Sequence, residues 1–91
     1  MMTHADLAMK YRLLMTQESV KAPLDQIQSS LRRAVQHAKW MTEELISESW
    51  KGGYDKRTRW ISFIQGVLWS AGFLTIDECR EDITELVSFD K

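Results

Sequence analysis

The chain has 91 residues, 44% of them hydrophobic and 27% charged, with a formal net charge of −1. That length holds one small domain with one core, and a near-neutral total excludes a generally basic nucleic-acid coat while leaving room for local positive patches. The lone cysteine, Cys79, excludes an internal disulfide and a cysteine-based metal set and fits a reducing compartment.

Turn punctuation is sparse: Pro23 is the only proline and the glycines are Gly52, Gly53, Gly66 and Gly72. So few breakers predict an all-α fold, a small helical hairpin or bundle of three to four helices forming a single domain over 1–91. The first helix runs from Thr3 to about Gln17, with Leu7, Tyr11 and Leu14 inward, Thr3 as N-cap and Asp6 three residues on. Glu18 to Ala22 reads as a connection, because the residue before Pro23 is driven out of helical geometry while proline suits a first helical turn. From there Leu24, Ile27, Leu31, Ala34, Ala38, Met41 and Leu45 alternate spacings of three and four, the seam of a long amphipathic helix. Gly52-Gly53 is expected to end it.

Asp55 is expected to cap a third helix with Trp60, Ile64, Val67, Leu68 and Ala71 inward. Ile61, Phe63 and Trp69 widen its apolar surface beyond one intramolecular contact. Gly72 stops that helix, and Thr75-Ile76-Asp77-Glu78 has the spacing of a capping box for a fourth, whose buried face is expected at Ile76, Cys79, Ile83 and Leu86. So short a chain buries a modest share of its surface, so homo-oligomerisation is expected, through the second-helix seam or the tryptophan-rich third helix. No apolar run approaches the ~20 residues of a membrane span, and M-M-T-H-A-D lacks the features of a signal peptide. A cytoplasmic protein with no membrane partner is the expectation.

The segment Trp50 to Trp60, W-K-G-G-Y-D-K-R-T-R-W, groups three aromatic and four basic side chains around the Gly-Gly break. Lys56, Arg57 and Arg59 fall near the positive pole of a helix, where each cation costs about 0.3–1 kcal/mol. One reading is an anion site, in which helix-start amides and these cations hold a phosphate while Tyr54 or Trp60 stacks a base. The other is that Asp55 and nearby acids neutralise the cluster and the tryptophans serve as core or interface anchors. Tyr11, with Lys10, Arg12 and Lys21 near it in sequence, is a second coincidence of ring and cation, read either as a core residue with its hydroxyl at the rim or as a ligand contact.

Catalytic patterns are absent. His4 and His37 have no metal-ligand spacing, Glu43, Glu44 and Glu48 lack histidine partners, and no Gly-x-Ser-x-Gly, Walker or Gly-x-Gly-x-x-Gly motif occurs. The sequence predicts no enzyme, no metal and no cofactor. Asp77, Glu78, Glu81, Asp82 and Glu85 are mostly accounted for by the dipole of the fourth helix.

The run R-W-I-S-F-I-Q-G-V-L-W-S-A-G-F-L-T-I-D-E-C-R-E-D, Arg59 to Asp82, resembles small accessory proteins of tailed bacteriophages, which carry similar Arg-Trp, Gln-Gly-Val-Leu-Trp and Thr-Ile-Asp-Glu-x-Arg stretches. A short first helix bearing Tyr11, a long second helix and an Asp-x-x-x-Arg-Trp entry at Asp55, Arg59 and Trp60 also resemble phage anti-CBASS sponges, oligomeric helical hairpins that sequester cyclic nucleotides. The resemblance implies a non-catalytic counter-defence protein in the host cytoplasm, with Tyr11 stacking a base and Lys21 meeting a phosphate. The residues themselves add Tyr54, Lys56, Arg57, Arg59 and Trp60 as candidate ligand contacts. The alternative is an inhibitor that covers a host enzyme or transcription factor with an apolar helix face. A DNA-associated factor, by contrast, would bind duplex DNA with steep salt dependence.

Overall fold

The computed structural model of the protein describes residues 2–16, 29–47 and 50–89. Among them are four α-helices and no strand: α1 (His4–Thr16), α2 (Ser29–Ile46), α3 (Tyr54–Ser70) and α4 (Ile76–Phe89). The expected connection at Glu18 to Ala22, the helix start at Pro23, the seam positions Leu24 and Ile27, and Lys21 and Glu48 lie outside the described residues.

Helix starts follow the local chemistry. At α1 the Asp6 amide donates to Thr3 Oγ1 and the Thr3 amide to Asp6 Oδ2, each at 3.0 Å. At α4 the Glu78 amide donates to Thr75 Oγ1 at 3.1 Å and the Thr75 amide to Glu78 Oε1 at 3.0 Å. Both are reciprocal caps that satisfy donors a bare helix start leaves open. The α3 end is equally local. The Phe73 amide bonds back to Leu68 O at 2.8 Å and the Gly72 amide to Trp69 O at 3.1 Å, with Gly72 at φ +85°, a left-handed turn that favours glycine.

The α2–α3 junction differs from expectation. α2 ends at Ile46, several residues before Gly52-Gly53, and α3 opens on Gly53 with no side-chain cap, so Asp55 lies within the first turn instead of capping it. A reason for glycine at 52 is steric: a Cβ there would lie 2.5 Å from Trp50 Cζ2 and 2.8 Å from Lys56 Cδ. The indole and the lysine stem fold over bare backbone.

Helix directions follow from the paired residues. His4 meets Thr58 and Tyr11 meets Gln65, so α1 and α3 run parallel. His37 meets Phe63 and Trp40 meets Trp60, so α2 runs antiparallel to α3. The core between them is built from Leu7, Ala8, Tyr11 and Met15 of α1, Val35, Ala38, Met41 and Leu45 of α2, and Ile61, Ile64, Val67 and Leu68 of α3, closed by Phe73, Leu74 and Leu86. Full burial of each large apolar side chain is worth about 1.5–3 kcal/mol, so these contacts supply the bulk of the stabilisation. Ile61, expected on an outer apolar surface, is fully buried. On α4 Leu86 is buried and Cys79 and Ile83 pack against the core as expected, whereas Ile76 is exposed and Asp82 takes a buried place on the same face.

Candidate ligand pocket and aromatic ladder

The inward turn of Asp82 has a partner-based cause. Its Oδ2 accepts from the Tyr11 hydroxyl at 2.7 Å, and Lys10 Nζ donates to Oδ1 and Oδ2 at 2.9 and 3.1 Å. Gln65 Nε2 donates to the Tyr11 oxygen at 2.8 Å and to the Cys79 carbonyl at 3.2 Å. Three helices are thereby tied by one buried network, which meets the requirement that buried polar groups be partnered. Burial pushes the Tyr11 phenol above its ordinary value; the Gln65 hydrogen bond opposes this, and the hydrogen bond and charge of Asp82 add to the rise. The Cys79 thiol is raised as well, by burial first and then by the charges of Asp82 and Glu78. Tyr11 is 0% exposed, so neither ring face is offered to a base. The stacking role expected for it does not fit this arrangement, because tertiary packing has used the ring in the core and the hydroxyl in the network.

The remaining candidate residues separate into two neighbouring features. Tyr54 and Arg57 stand in the wall of a cavity of about 320 Å³ at the end of the bundle, with Thr3, His4 and Ala5 from the α1 start and Leu45, Ile46 and Ser47 from the α2 end. His4 is buried, hydrogen-bonded through Nε2 to Thr58 Oγ1 at 3.0 Å, and packs edge-on against Tyr54 at 5.0 Å between ring centres. Two helix starts and one helix end converge here, so two positive poles face one negative pole. Arg57 Nε is buried without a hydrogen-bond partner among the described residues, and its guanidinium carbon lies 6.0 Å from the Trp50 ring centre. An unpaired buried guanidinium nitrogen costs free energy that an anion would return.

Lys56 and Trp60 belong to the second feature. Trp50 meets Trp60 edge-on at 4.8 Å, Trp60 tilts against Trp40 at 5.8 Å, Trp40 stacks with His37 at 5.5 Å, and His37 meets Phe63 edge-on at 6.1 Å. Lys56 Nζ sits 5.2 Å from the Trp50 ring centre and 5.5 Å from that of Trp60, within cation–π range. Trp60 is therefore flanked by two indoles and an ammonium, and the freer rings are Trp40 and Phe63, exposed by 48% and 49%. Arg59 is exposed and lies outside the pocket wall.

Sequence reasoning missed His4, Trp40 and His37. Trp40 carried a usable signal, since a tryptophan on the polar side of an amphipathic helix has no place in its own seam; His4 carried none. Among the described residues no group of acids, histidines and cysteine could hold a metal ion, and no helix is long and apolar enough to cross a membrane. Comparison with known proteins returned no matching family model, no matching curated protein and no matching solved structure.

Proposed function

We propose that the protein captures a phosphate-bearing small molecule at the bundle-end pocket without transforming it, and that the ligand is a cyclic nucleotide immune signal sequestered during phage counter-defence in the host cytoplasm. The observation that carries the reading is Arg57, a cation with a buried, partnerless nitrogen in the wall of a formed cavity. In this scheme the phosphate meets Arg57 and the helix-start amides, and Tyr54 and His4 supply ring contacts. Lys56 and Trp60 do not line the cavity; they pack on Trp50, whose ring centre lies 6.0 Å from the Arg57 guanidinium carbon. The cavity is at the small end of the roughly 300–1,000 Å³ typical of ligand pockets, which suits one nucleotide unit. A cyclic di- or trinucleotide would then be shared between pockets of two or more copies, which gives the proposed homo-oligomer a purpose.

Sequestration works by mass action, so the protein must rival the signal in concentration and outbind its receptor. Isothermal calorimetry with cyclic di- and trinucleotides and with mononucleotides is the direct test. Heat with one of them, lost in Arg57→Met, supports the proposal; no heat with any of them ends it.

A second reading, an inhibitor of a host enzyme or transcription factor, is favoured by Trp69, 52% exposed beside a shallow groove shared with Leu31, Phe63 and Val67. Under that reading Trp69→Ala abolishes capture of a single host protein, and nucleotides have no effect on it.

A further inference from the structure

The outer face shared by α2 and α3 differs in composition from the rest of the surface. No Asp or Glu occurs from Ser29 to Met41 or from Lys56 to Ile76, whereas exposed acids gather on α4 at Asp77, Glu78, Glu81 and Glu85. Along α2, Arg33, His37 and Trp40 follow one stripe at intervals of four and three, and Lys56, Arg59 and Phe63 follow one stripe of α3 at three and four. All six are exposed. The stripes adjoin, because His37 packs against Phe63 and Trp40 against Trp60. Arg33, Lys56 and Arg59 form no ion pair with a described residue. Glu43 and Glu44, one turn beyond Trp40, mark the limit of the face at that end.

We infer that this face binds a single-stranded nucleic acid, with Trp40, His37 and Phe63 as stacking surfaces and Arg33, Lys56 and Arg59 as phosphate contacts. The charge is complementary to a polyanion, and the whole-chain charge of −1 conceals it because acids are concentrated on α4, with Glu43 and Glu44 at the α2 end and Asp55 at the α3 start. Open rings select a single strand over a duplex, whose bases are already stacked on one another. An acidic peptide would satisfy the cations yet offer the rings no flat partner. The face is separate from the pocket wall, so the two activities can fail independently.

The test is fluorescence anisotropy with a labelled oligothymidylate of about 12 nucleotides, its duplex, and polyglutamate, at about 50 mM salt and upward. Binding to the single strand should exceed that to the duplex and to polyglutamate. Three phosphate contacts predict a fall of about 20-fold between about 50 and 200 mM salt. Trp40→Ala and Phe63→Ala should each weaken binding at least about fivefold while leaving the protein folded with a cooperative melting curve, since both rings are half exposed. Arg57→Met, which removes none of the six side chains of the face, should leave strand binding intact. The inference is overturned by no binding at about 50 mM salt, by duplex binding as tight as single-strand binding and insensitive to ring removal, or by equal binding of polyglutamate. It is equally overturned if sedimentation shows the face closed by salt-dissociable association with the acidic α4 of a second copy.

Discussion

The two polar regions of this molecule are built from similar side chains and behave in opposite ways. Around Tyr11, every polar group named finds a partner: the hydroxyl both donates and accepts, Asp82 takes three hydrogen bonds, and Gln65 reaches a carbonyl as well. Around Arg57, the guanidinium Nε and the Trp50 indole N–H are buried with no partner among the described residues, beside an open cavity. A closed network fixes helix orientation and has nothing left to give a ligand. An unclosed one keeps donors whose desolvation has already been incurred in folding, which is where an anion gains most.

The sharpest way to break this contrast is at Asp82. Asp82→Ala strips Tyr11 of its acceptor and leaves the partly exposed Lys10 ammonium unpaired, so a loss of about 2–4 kcal/mol is expected in urea unfolding. Tyr11→Phe keeps the ring and removes only the hydroxyl; with Asp82 and Gln65 each short of one bond, the expected loss is about 1–3 kcal/mol. The same hydroxyl sets an alkaline limit. Its folded pKa is raised above the ordinary 10.0, so the folded state holds the proton that the unfolded chain releases. Stability is unaffected by this group below about pH 10 and falls as pH rises beyond it. Urea midpoints measured on both sides of that value should show the decline, and Tyr11→Phe should flatten it.

At the other region, Gly52→Ala forces Trp50 and Lys56 apart, for which about 1 kcal/mol is expected, the indole and the lysine stem having room to shift. Its clearer signature is a shift in tryptophan emission with weakened ligand capture. The smallest effect on stability is predicted for Arg57→Met. Removing a partnerless donor should cost no unfolding free energy, because it relieves a desolvation that no hydrogen bond offsets, yet eliminate nucleotide heat in calorimetry. A loss comparable to that of Asp82→Ala would show that Arg57 is a structural cation and erase the distinction between the two regions.

Much of the fold was legible because its signals are local. Thr3 caps α1 and the Thr75–Glu78 pair forms its reciprocal cap on α4 as expected, and Gly72 stops α3 as expected, in a left-handed turn. The seam from Leu31 to Leu45 is buried at Ala38, Met41 and Leu45, as periodicity required. The candidate site was legible in part. Tyr54 and Arg57 share a pocket wall, but Lys56 and Trp60 are turned into the aromatic ladder and Arg59 points elsewhere. Neighbours in sequence on a helix diverge by about 100° each, so a five-residue cluster cannot all face one ligand.

What the sequence determined by itself was the division into helices, their caps and stops, and the apolar stripe of each, because those depend on residues within a turn of one another. Tertiary structure alone decided that Asp82 turns inward, that the Tyr11 hydroxyl is closed between Asp82 and Gln65, and that His4 joins Arg57 fifty-three positions away at one pocket. Those outcomes rest on which helices run parallel and which side chains then complete each other's hydrogen bonds, a choice made between elements and written in no single stretch of chain.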